Sequence, residues 1–290
     1  MFIGSHVAIV TPFRKGKVDE RALGDLIEWQ IAKGTNGIVP CGTTGESATL
    51  SHEEHNRVIE LTVEVVRRRV PVTAGTGSNS TEEAISLTKH AKEAGADAAL
   101  LITPYYNKPT QEGLYRHYKA IAEAVNLPLV LYNIPGRTGV NMLPTTIARL
   151  AVIQNIVGVK EGSGVIQQAS DIVQTCGDRL AVLAGDDAMT LPMMAVGGQG
   201  VITVTANIAP TEMANMIKAF SAGNIEEARR IHFQLSPLFA ALFYETNPIP
   251  VKEALGMMGK IDPELRLPLC PMGKENRDKL MRVMKEARFI

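Results

Sequence analysis

One apolar segment of the sequence ends on a lysine. Residues 156–159 read Ile-Val-Gly-Val, a run typical of a buried strand, and Lys160 follows before the chain turns polar and glycine-rich. A buried ammonium is costly unless it is paired or neutral, and a neutral amine can attack a carbonyl carbon to form a Schiff base. The position of Lys160 therefore predicts a nucleophile, with a salt bridge to Glu161 or a side chain that reaches solvent as the alternatives.

Schiff-base chemistry on a keto acid needs further groups, and the sequence offers candidates for each. Backbone N–H groups in the turn 42–45 (Gly-Thr-Thr-Gly) could bind a carboxylate. Tyr132 could shuttle a proton, with Thr44 and Tyr106 extending the relay. Arg137 could bind a second carboxylate. An ordinary glycine turn, structural tyrosines and a surface arginine are the alternatives.

Eight apolar, β-branched segments recur along the chain and would have to position these residues. Because they are continuous rather than alternating, they are typical of parallel strands buried on both faces. The predicted strands cover residues 6–12, 36–42, 70–75, 97–104, 127–133, 156–162, 180–186 and 200–207.

Helical patterns with start signals lie between strand candidates. The residues expected to open them are Asp19, Ser51, Ser80, Thr110 and Pro210. Glu54 and Glu83 follow the two serines by three positions, which predicts two capping boxes. The strand and helix pattern predicts an α/β fold, a (β/α)8 TIM barrel over residues 1–224. Only helical patterns follow, so residues 225–290 are expected to form a small C-terminal α-helical domain.

Composition argues against several classes of protein. Thirty basic and thirty acidic residues give no net charge, and so no support for binding nucleic acid or an anionic membrane. Three widely spaced cysteines predict neither disulfides nor a zinc site, and the His-Glu-Glu-His segment 52–55 lacks a third metal ligand. The first residues read as a strand rather than a signal peptide, and no apolar run approaches the ~20 residues of a membrane helix. We therefore expect a cytoplasmic protein without a metal.

Five ordered motifs resemble one family across essentially the whole chain. They are GTTGES (42–47), TPYYNKPTQEGLYRHYKAIAE (103–123), YNIPGRTG (132–139), GVKEGSG (158–164) and NPIPVKEAL (247–255). Together they closely resemble the dihydrodipicolinate synthase family of pyruvate-dependent class I aldolases, a superfamily that includes N-acetylneuraminate lyase.

The resemblance implies a reaction that needs no cofactor. Lys160 would form an imine with pyruvate, and the derived enamine would attack L-aspartate 4-semialdehyde. Ring closure would release Lys160 and give 4-hydroxy-tetrahydrodipicolinate, for lysine and diaminopimelate biosynthesis. Tyr132, Thr44 and Tyr106 would form the proton relay, with Tyr106 supplied by a neighbouring subunit of a homotetramer built as a dimer of dimers.

The resemblance also implies roles in binding. Thr43 and Thr44 would hold the pyruvate carboxylate, Ile202 would add a backbone contact, and Arg137 would bind the semialdehyde carboxylate. L-lysine, the end product, regulates some members of the family at the dimer interface. The positions that match this regulatory site are Ser47, Ala48, His52, His55, Asn79, Glu83 and Tyr105. Helix capping by Ser51 and Ser80 is the alternative explanation for part of this region.

Two other functions stay open at this point. A sister aldolase acting on N-acetylneuraminate or a 2-keto-3-deoxy sugar acid would share Lys160 and Tyr132. Arg137 and the Thr43-Thr44 pair favour the synthase instead. A catalytically silent barrel that only binds a small molecule would not need the full set of residues.

Overall fold

The computed structural model describes residues 2–290. The strands are β1 (Gly4–Ala8), β2 (Phe13–Arg14), β3 (Lys17–Val18), β4 (Gly37–Val39), β5 (Thr73–Gly75), β6 (Ala98–Ile102), β7 (Leu129–Asn133), β8 (Ile156–Glu161), β9 (Ala181–Ala184) and β10 (Gly200–Thr203). The helices are α1 (Glu20–Ala32), α2 (His52–Val66), α3 (Thr81–Glu93), α4 (Gln111–Ala124), α5 (Pro135–Thr138), α6 (Pro144–Leu150), α7 (Ile166–Cys176), α8 (Thr190–Ala195), α9 (Pro210–Ser221), α10 (Ile225–Ala241), α11 (Ile249–Met257) and α12 (Lys274–Glu286).

The fold is a (β/α)8 barrel, as predicted. Each of the eight predicted segments overlaps one parallel strand, although β1 begins at Gly4, two residues before its predicted segment. Strands β2 and β3 form a separate antiparallel pair that the sequence pattern did not reveal. The observed strands are shorter than the apolar segments, mainly because the last residues of most segments belong to the loops that follow. The segment after residue 224 forms helices α10 to α12, as predicted, while the domain boundary at that residue stays a prediction.

Within residues 1–224, four helices, α5 to α8, had no predicted start residue. None of them has a side-chain hydrogen bond at its N-terminal cap, where the serine, threonine or aspartate signal is usually found. Their cap residues are Ile134, Leu143, Val165 and Met189.

The two predicted capping boxes differ in outcome. Ser51 and Glu54 form the complete reciprocal box at the start of α2. At α3, Ser80 accepts from the Glu83 N–H, but the Glu83 carboxylate accepts from the Ser78 hydroxyl instead of from Ser80. The Ser80 N–H donates to Ser78 Oγ at 3.0 Å. The prediction of a second capping box was therefore wrong. The Ser78 hydroxyl donates to the Glu83 carboxylate and accepts from the Ser80 N–H, in place of a direct contact between the Glu83 carboxylate and the Ser80 N–H.

The chain divides into two compact units. The first comprises residues 71–202 together with residues 2–4. Within it the parallel strands follow the order β10-β9-β8-β7-β6-β5. The second unit comprises residues 5–70 and 203–290. Within it β1 pairs with β4 in parallel, α1 packs against α2, and α9 packs against α10.

No helix between residues 2 and 290 is both long enough and apolar enough to cross a lipid bilayer.

Candidate active site

Lys160 and Tyr132 lie side by side at the ends of neighbouring strands. The register of β7 and β8 pairs Tyr132 directly with Lys160. Lys160 is only 5% exposed, and its Nζ lies 4.1 Å from the centroid of the Tyr132 ring. Apolar residues of β8 carry the amine into the interior, as the sequence predicted. The structure thus brings the predicted nucleophile and the predicted proton shuttle together.

Glu161 has partners of its own. Its buried carboxylate accepts hydrogen bonds from Asn133 Nδ2 and Gln168 Nε2, both at 3.0 Å, and from the Ser163 N–H at 2.6 Å. Successive side chains of a strand point to opposite faces. The carboxylate is committed to these three donors, so the alternative of a Lys160–Glu161 salt bridge loses its support.

Arg137 lies on α5, which begins two residues after β7 ends. Its side chain is exposed, and Gly139 ends the short helix with a φ of 74°. The Thr138 hydroxyl donates to the Ile134 carbonyl at 3.0 Å and fixes the turn. The helix therefore holds Arg137 five residues beyond Tyr132 in a defined segment rather than in a loose loop.

Tyr106 projects from the loop after β6 and is 90% exposed. Its φ of 70° is left-handed, which is uncommon for a tyrosine. Asn79 holds this loop: its Nδ2 donates to the Tyr105 carbonyl at 3.2 Å, and Asn107 Nδ2 donates to the Asn79 carbonyl at 2.8 Å. The structure leaves Tyr106 in solvent and does not bring it to the buried Tyr132 of the same chain.

The second unit contains the turn of residues 41–46. Two non-glycine residues at its ends are left-handed, Cys41 with φ 55° and Glu46 with φ 51°. A Cβ at Gly45 would lie 3.1 Å from the Cys41 nitrogen, so a larger residue is disfavoured there. Thr44 is buried, and its Oγ1 accepts a hydrogen bond from Asn247 Nδ2 at 3.0 Å. This turn is more constrained than its glycine-rich sequence alone indicates.

A buried ion pair supports the turn and was not predicted. Lys252 on α11 is completely buried, and its Nζ lies 2.6 Å from Glu46 Oε1. The same ammonium lies 4.1 Å from the centroid of the Phe13 ring. Burial lowers the pKa of Lys252, and the carboxylate of Glu46 opposes that shift. The only sequence signal for this ion pair was Lys252 itself, a single lysine within the apolar first turns of α11.

The predicted regulatory residues divide between the two units. In the first unit Asn79, Glu83 and Tyr105 are close: burial raises the pKa of the Tyr105 hydroxyl, and the charge of Glu83 adds to the shift. In the second unit His52 is exposed at the start of α2, while His55 is buried. The two histidines therefore do not share one exposed helix face.

Two more predicted regulatory residues, Ser47 and Ala48, lie in the second unit, and the predicted substrate contact Ile202 lies on β10. Ser47 opens a short 3₁₀ helix at 47–49, and Ala48 within it is exposed. Ile202 is buried near the end of β10.

Among residues 2–290 no group of three or more histidine, cysteine, aspartate or glutamate side chains is arranged to hold a metal ion.

Residues 1–287 match the model of the dihydrodipicolinate synthetase family. The chain belongs to this family. A relative from Geobacter sp. (strain M21), named 4-hydroxy-tetrahydrodipicolinate synthase, is 62% identical over 290 residues, which are 100% of both chains. The family resemblance predicted from the five motifs is confirmed.

Solved structures of the family agree in fold. Dihydrodipicolinate synthase from Aquifex aeolicus has a TM-score of 0.98 and 50% identity, covering 99% of each chain. The structure from Cyanidioschyzon merolae with lysine bound has a TM-score of 0.97 and 42% identity, covering 100% of this chain and 99% of that one. Relatives named as the synthase favour this activity over the sugar-acid lyase alternative.

Proposed function

We propose that the protein condenses pyruvate with L-aspartate 4-semialdehyde to give 4-hydroxy-tetrahydrodipicolinate. One observation carries the proposal: the buried amine of Lys160 lies 4.1 Å from the ring centroid of Tyr132, its register partner on the adjacent strand. A buried amine beside a phenol suits carbonyl addition followed by proton transfer. The full-length relatives are named for the product of this condensation, and the two substrates are those that the resemblance of the five motifs implies.

The first stage makes a carbon nucleophile from pyruvate. Lys160 Nζ attacks the keto carbon, and the resulting carbinolamine loses water to give an imine. Loss of a methyl proton then leaves the electron pair in an enamine. Tyr132 is the group next to the amine that can deliver and receive these protons.

The second stage forms the ring. The enamine carbon attacks the aldehyde carbon of the semialdehyde, and the aldehyde oxygen takes a proton. The substrate's own amine then adds to the imine carbon and displaces Lys160, which regenerates the free enzyme. Exposed Arg137 supplies a planar guanidinium for the semialdehyde carboxylate.

The turn 41–46 supplies the groups for the pyruvate carboxylate. The N–H groups of Gly45 and Glu46 already donate to carbonyls of the turn, at 3.1 Å each, and that of Ser47 donates at 3.5 Å. We therefore assign the carboxylate to Thr43 and Thr44, with a backbone contact from Ile202. Thr44 extends the proton relay from Tyr132.

Tyr106 completes the relay from a second copy of the chain. Tyr106 is 90% exposed and its backbone is left-handed. A side chain presented in this way suits insertion into a partner subunit better than a role in its own subunit. The proposed assembly is a homotetramer built from two such dimers.

L-lysine is the proposed inhibitor. Asn79, Glu83 and Tyr105 lie together, and together they offer an acceptor for an ammonium and donors for a carboxylate. Ser47, Ala48, His52 and His55 are the proposed remaining members. The solved relative with lysine bound supports a lysine site in this family.

Steady-state turnover tests the proposed reaction. The purified protein should consume pyruvate and L-aspartate 4-semialdehyde together, and should not cleave N-acetylneuraminate or 2-keto-3-deoxy sugar acids. Lys160→Met should lose the condensation activity while its thermal unfolding stays cooperative. Cleavage of a sugar acid without condensation would contradict the proposal, and so would full activity of Lys160→Met.

A further inference from the structure

We infer that Asn247 is a positioning residue that sets the direction of the Thr44 hydroxyl. The inference rests on the proposed function, in which Thr44 is a member of the proton relay. It concerns a residue of the loop before α11, within the second compact unit, rather than a residue that touches substrate.

The contact is short and shielded from water. Asn247 Nδ2 donates to Thr44 Oγ1 at 3.0 Å. Thr44 is 2% exposed and Asn247 is 4% exposed. Water therefore cannot readily replace the amide, and removal of the donor leaves a buried hydroxyl with one partner fewer.

The chemistry of the two groups gives the bond a direction. An amide nitrogen can only donate, whereas a hydroxyl has one hydrogen to donate and lone pairs that accept. When Thr44 Oγ1 accepts from Asn247, its own hydrogen must be donated to a different acceptor. A relay member that carries protons needs this polarity, because a hydroxyl whose hydrogen points back at Asn247 could not hand it onward.

The surrounding frame keeps the two residues in place. Glu46 lies two residues after Thr44, and Lys252 lies five residues after Asn247. Their ion pair, 2.6 Å long and fully buried, ties the two segments together. Glu46 Oε2 also accepts from the Arg266 N–H at 3.3 Å. The turn with its left-handed ends therefore meets Asn247 in one fixed arrangement.

Two substitutions at Asn247 separate direction from packing. In Asn247→Asp the ionised carboxylate can only accept, so it would take the Thr44 hydrogen and reverse the bond. The kcat should fall about a hundredfold, as for loss of a proton-transfer group. Asn247→Ala removes the donor without reversing the bond and should cost about tenfold in kcat. The KM for L-aspartate 4-semialdehyde should change by less than about threefold in either variant, because Arg137 is the proposed contact of its carboxylate.

The pH profile gives a readout that a merely structural role would not move. In the Asn247→Asp variant a protonated carboxyl group can donate again, so the ratio of wild-type kcat to variant kcat should shrink as the pH is lowered. Asn224→Asp is the control for the added charge, since aspartate caps α10 as well as asparagine does. Its kcat should match that of the wild type across the range.

A double-mutant cycle with Thr44→Val shows whether Asn247 acts through Thr44. In that background Asn247→Ala should have no further effect on kcat, because the hydroxyl that it orients is gone. The double-mutant cycle uses only Asn247→Ala and Thr44→Val, so it tests the inference even if Asn247→Asp does not fold. Additive effects would overturn the inference, as would wild-type kcat in Asn247→Asp. If the wild-type protein itself forms no imine with pyruvate, the proposed function fails instead.

Discussion

Lys160 and Glu161 are adjacent in sequence, yet their side chains have separate surroundings. The lysine amine lies beside Tyr132, while the glutamate carboxylate accepts from Asn133, Gln168 and Ser163. The alternation of a strand makes this possible, since one residue faces inward and the next faces the other side. The Glu161 carboxylate, although adjacent to Lys160 in sequence, is therefore kept from forming an ion pair with the Lys160 amine.

Arg137→Ala should impair use of the second substrate selectively. A charge-assisted hydrogen bond contributes about 1.5–3 kcal/mol, so the KM for L-aspartate 4-semialdehyde should rise roughly 10- to 100-fold. The KM for pyruvate should change by less than about threefold, because that substrate is held by the amine and by the 41–46 turn. Steady-state kinetics with each substrate varied in turn measures both constants. Arg149→Ala, an exposed arginine of α6, is the control, and equal effects on both substrates would remove Arg137 from the site.

Individual residues were predictable where a strand end or a motif identified them. Lys160 and Tyr132 follow from apolar runs that end on a reactive side chain, and the register of β7 and β8 bears out their closeness. The sequence could not predict that Asn247 and Lys252 contact residues 44 and 46, because such contacts join segments about two hundred residues apart. Roles assigned to Thr43, Ile202 and the regulatory residues stay predictions.

The elements of the barrel were predictable to different degrees. Long apolar runs located all eight parallel strands, and capped helices such as α1, α2 and α4 were found from their first residues. Helices α5 to α8 lack that signal because an apolar residue stands at each cap. Pro135 and Pro144 at the first helical positions of α5 and α6 are a local start signal that could have located those two helices; for α7 and α8, tertiary packing contributes more than capping does.

The link between α11 and the 41–46 turn should be a major source of stability. Lys252→Met would leave the Glu46 carboxylate buried without its cation, at a cost of about 3–5 kcal/mol in the free energy of unfolding. The double variant Glu46→Gln/Lys252→Met should recover most of that loss, since no unpaired charge remains. Urea unfolding followed by circular dichroism gives the three values.

An exposed pair provides the comparison for this ion pair. Lys279 and Glu275 lie 2.7 Å apart on α12, with side chains 44% and 84% exposed. Lys279→Met should cost less than about 1 kcal/mol. If Lys252→Met were no more costly than Lys279→Met, the buried pair would not be the anchor of the turn.

At the scale of the whole molecule, the exposed Tyr106 predicts shared active sites. Tyr106→Phe chains and Lys160→Ala chains should each be nearly inactive alone. Mixed after subunit exchange, they should regain up to about a quarter of wild-type activity, because half of random dimers are mixed and each has one complete site. Lys160→Ala mixed with the double variant Tyr106→Phe/Lys160→Ala should regain nothing, because neither chain supplies Lys160. A fully active monomer in sedimentation would contradict the shared site.

L-lysine should lower the rate without competing with pyruvate. Allosteric inhibition requires lysine to bind unequally to states of different activity, so the rate should fall to a plateau as lysine rises. Glu83→Ala should abolish this response and spare uninhibited turnover. Glu82→Ala, the exposed neighbour in the first turn of α3, should respond as the wild type does. An unchanged wild-type rate at millimolar lysine would show that the regulatory proposal is wrong.

Trapping with borohydride tests the central claim most directly. Incubation with pyruvate and borohydride should fix a three-carbon adduct, and peptide mass spectrometry should place it on Lys160. Lys252 is also buried but is paired with Glu46, so it should stay unmodified and serves as an internal comparison. Modification of Lys160 that depends on pyruvate is the predicted result. An adduct on any other lysine, or none at all, would contradict the account.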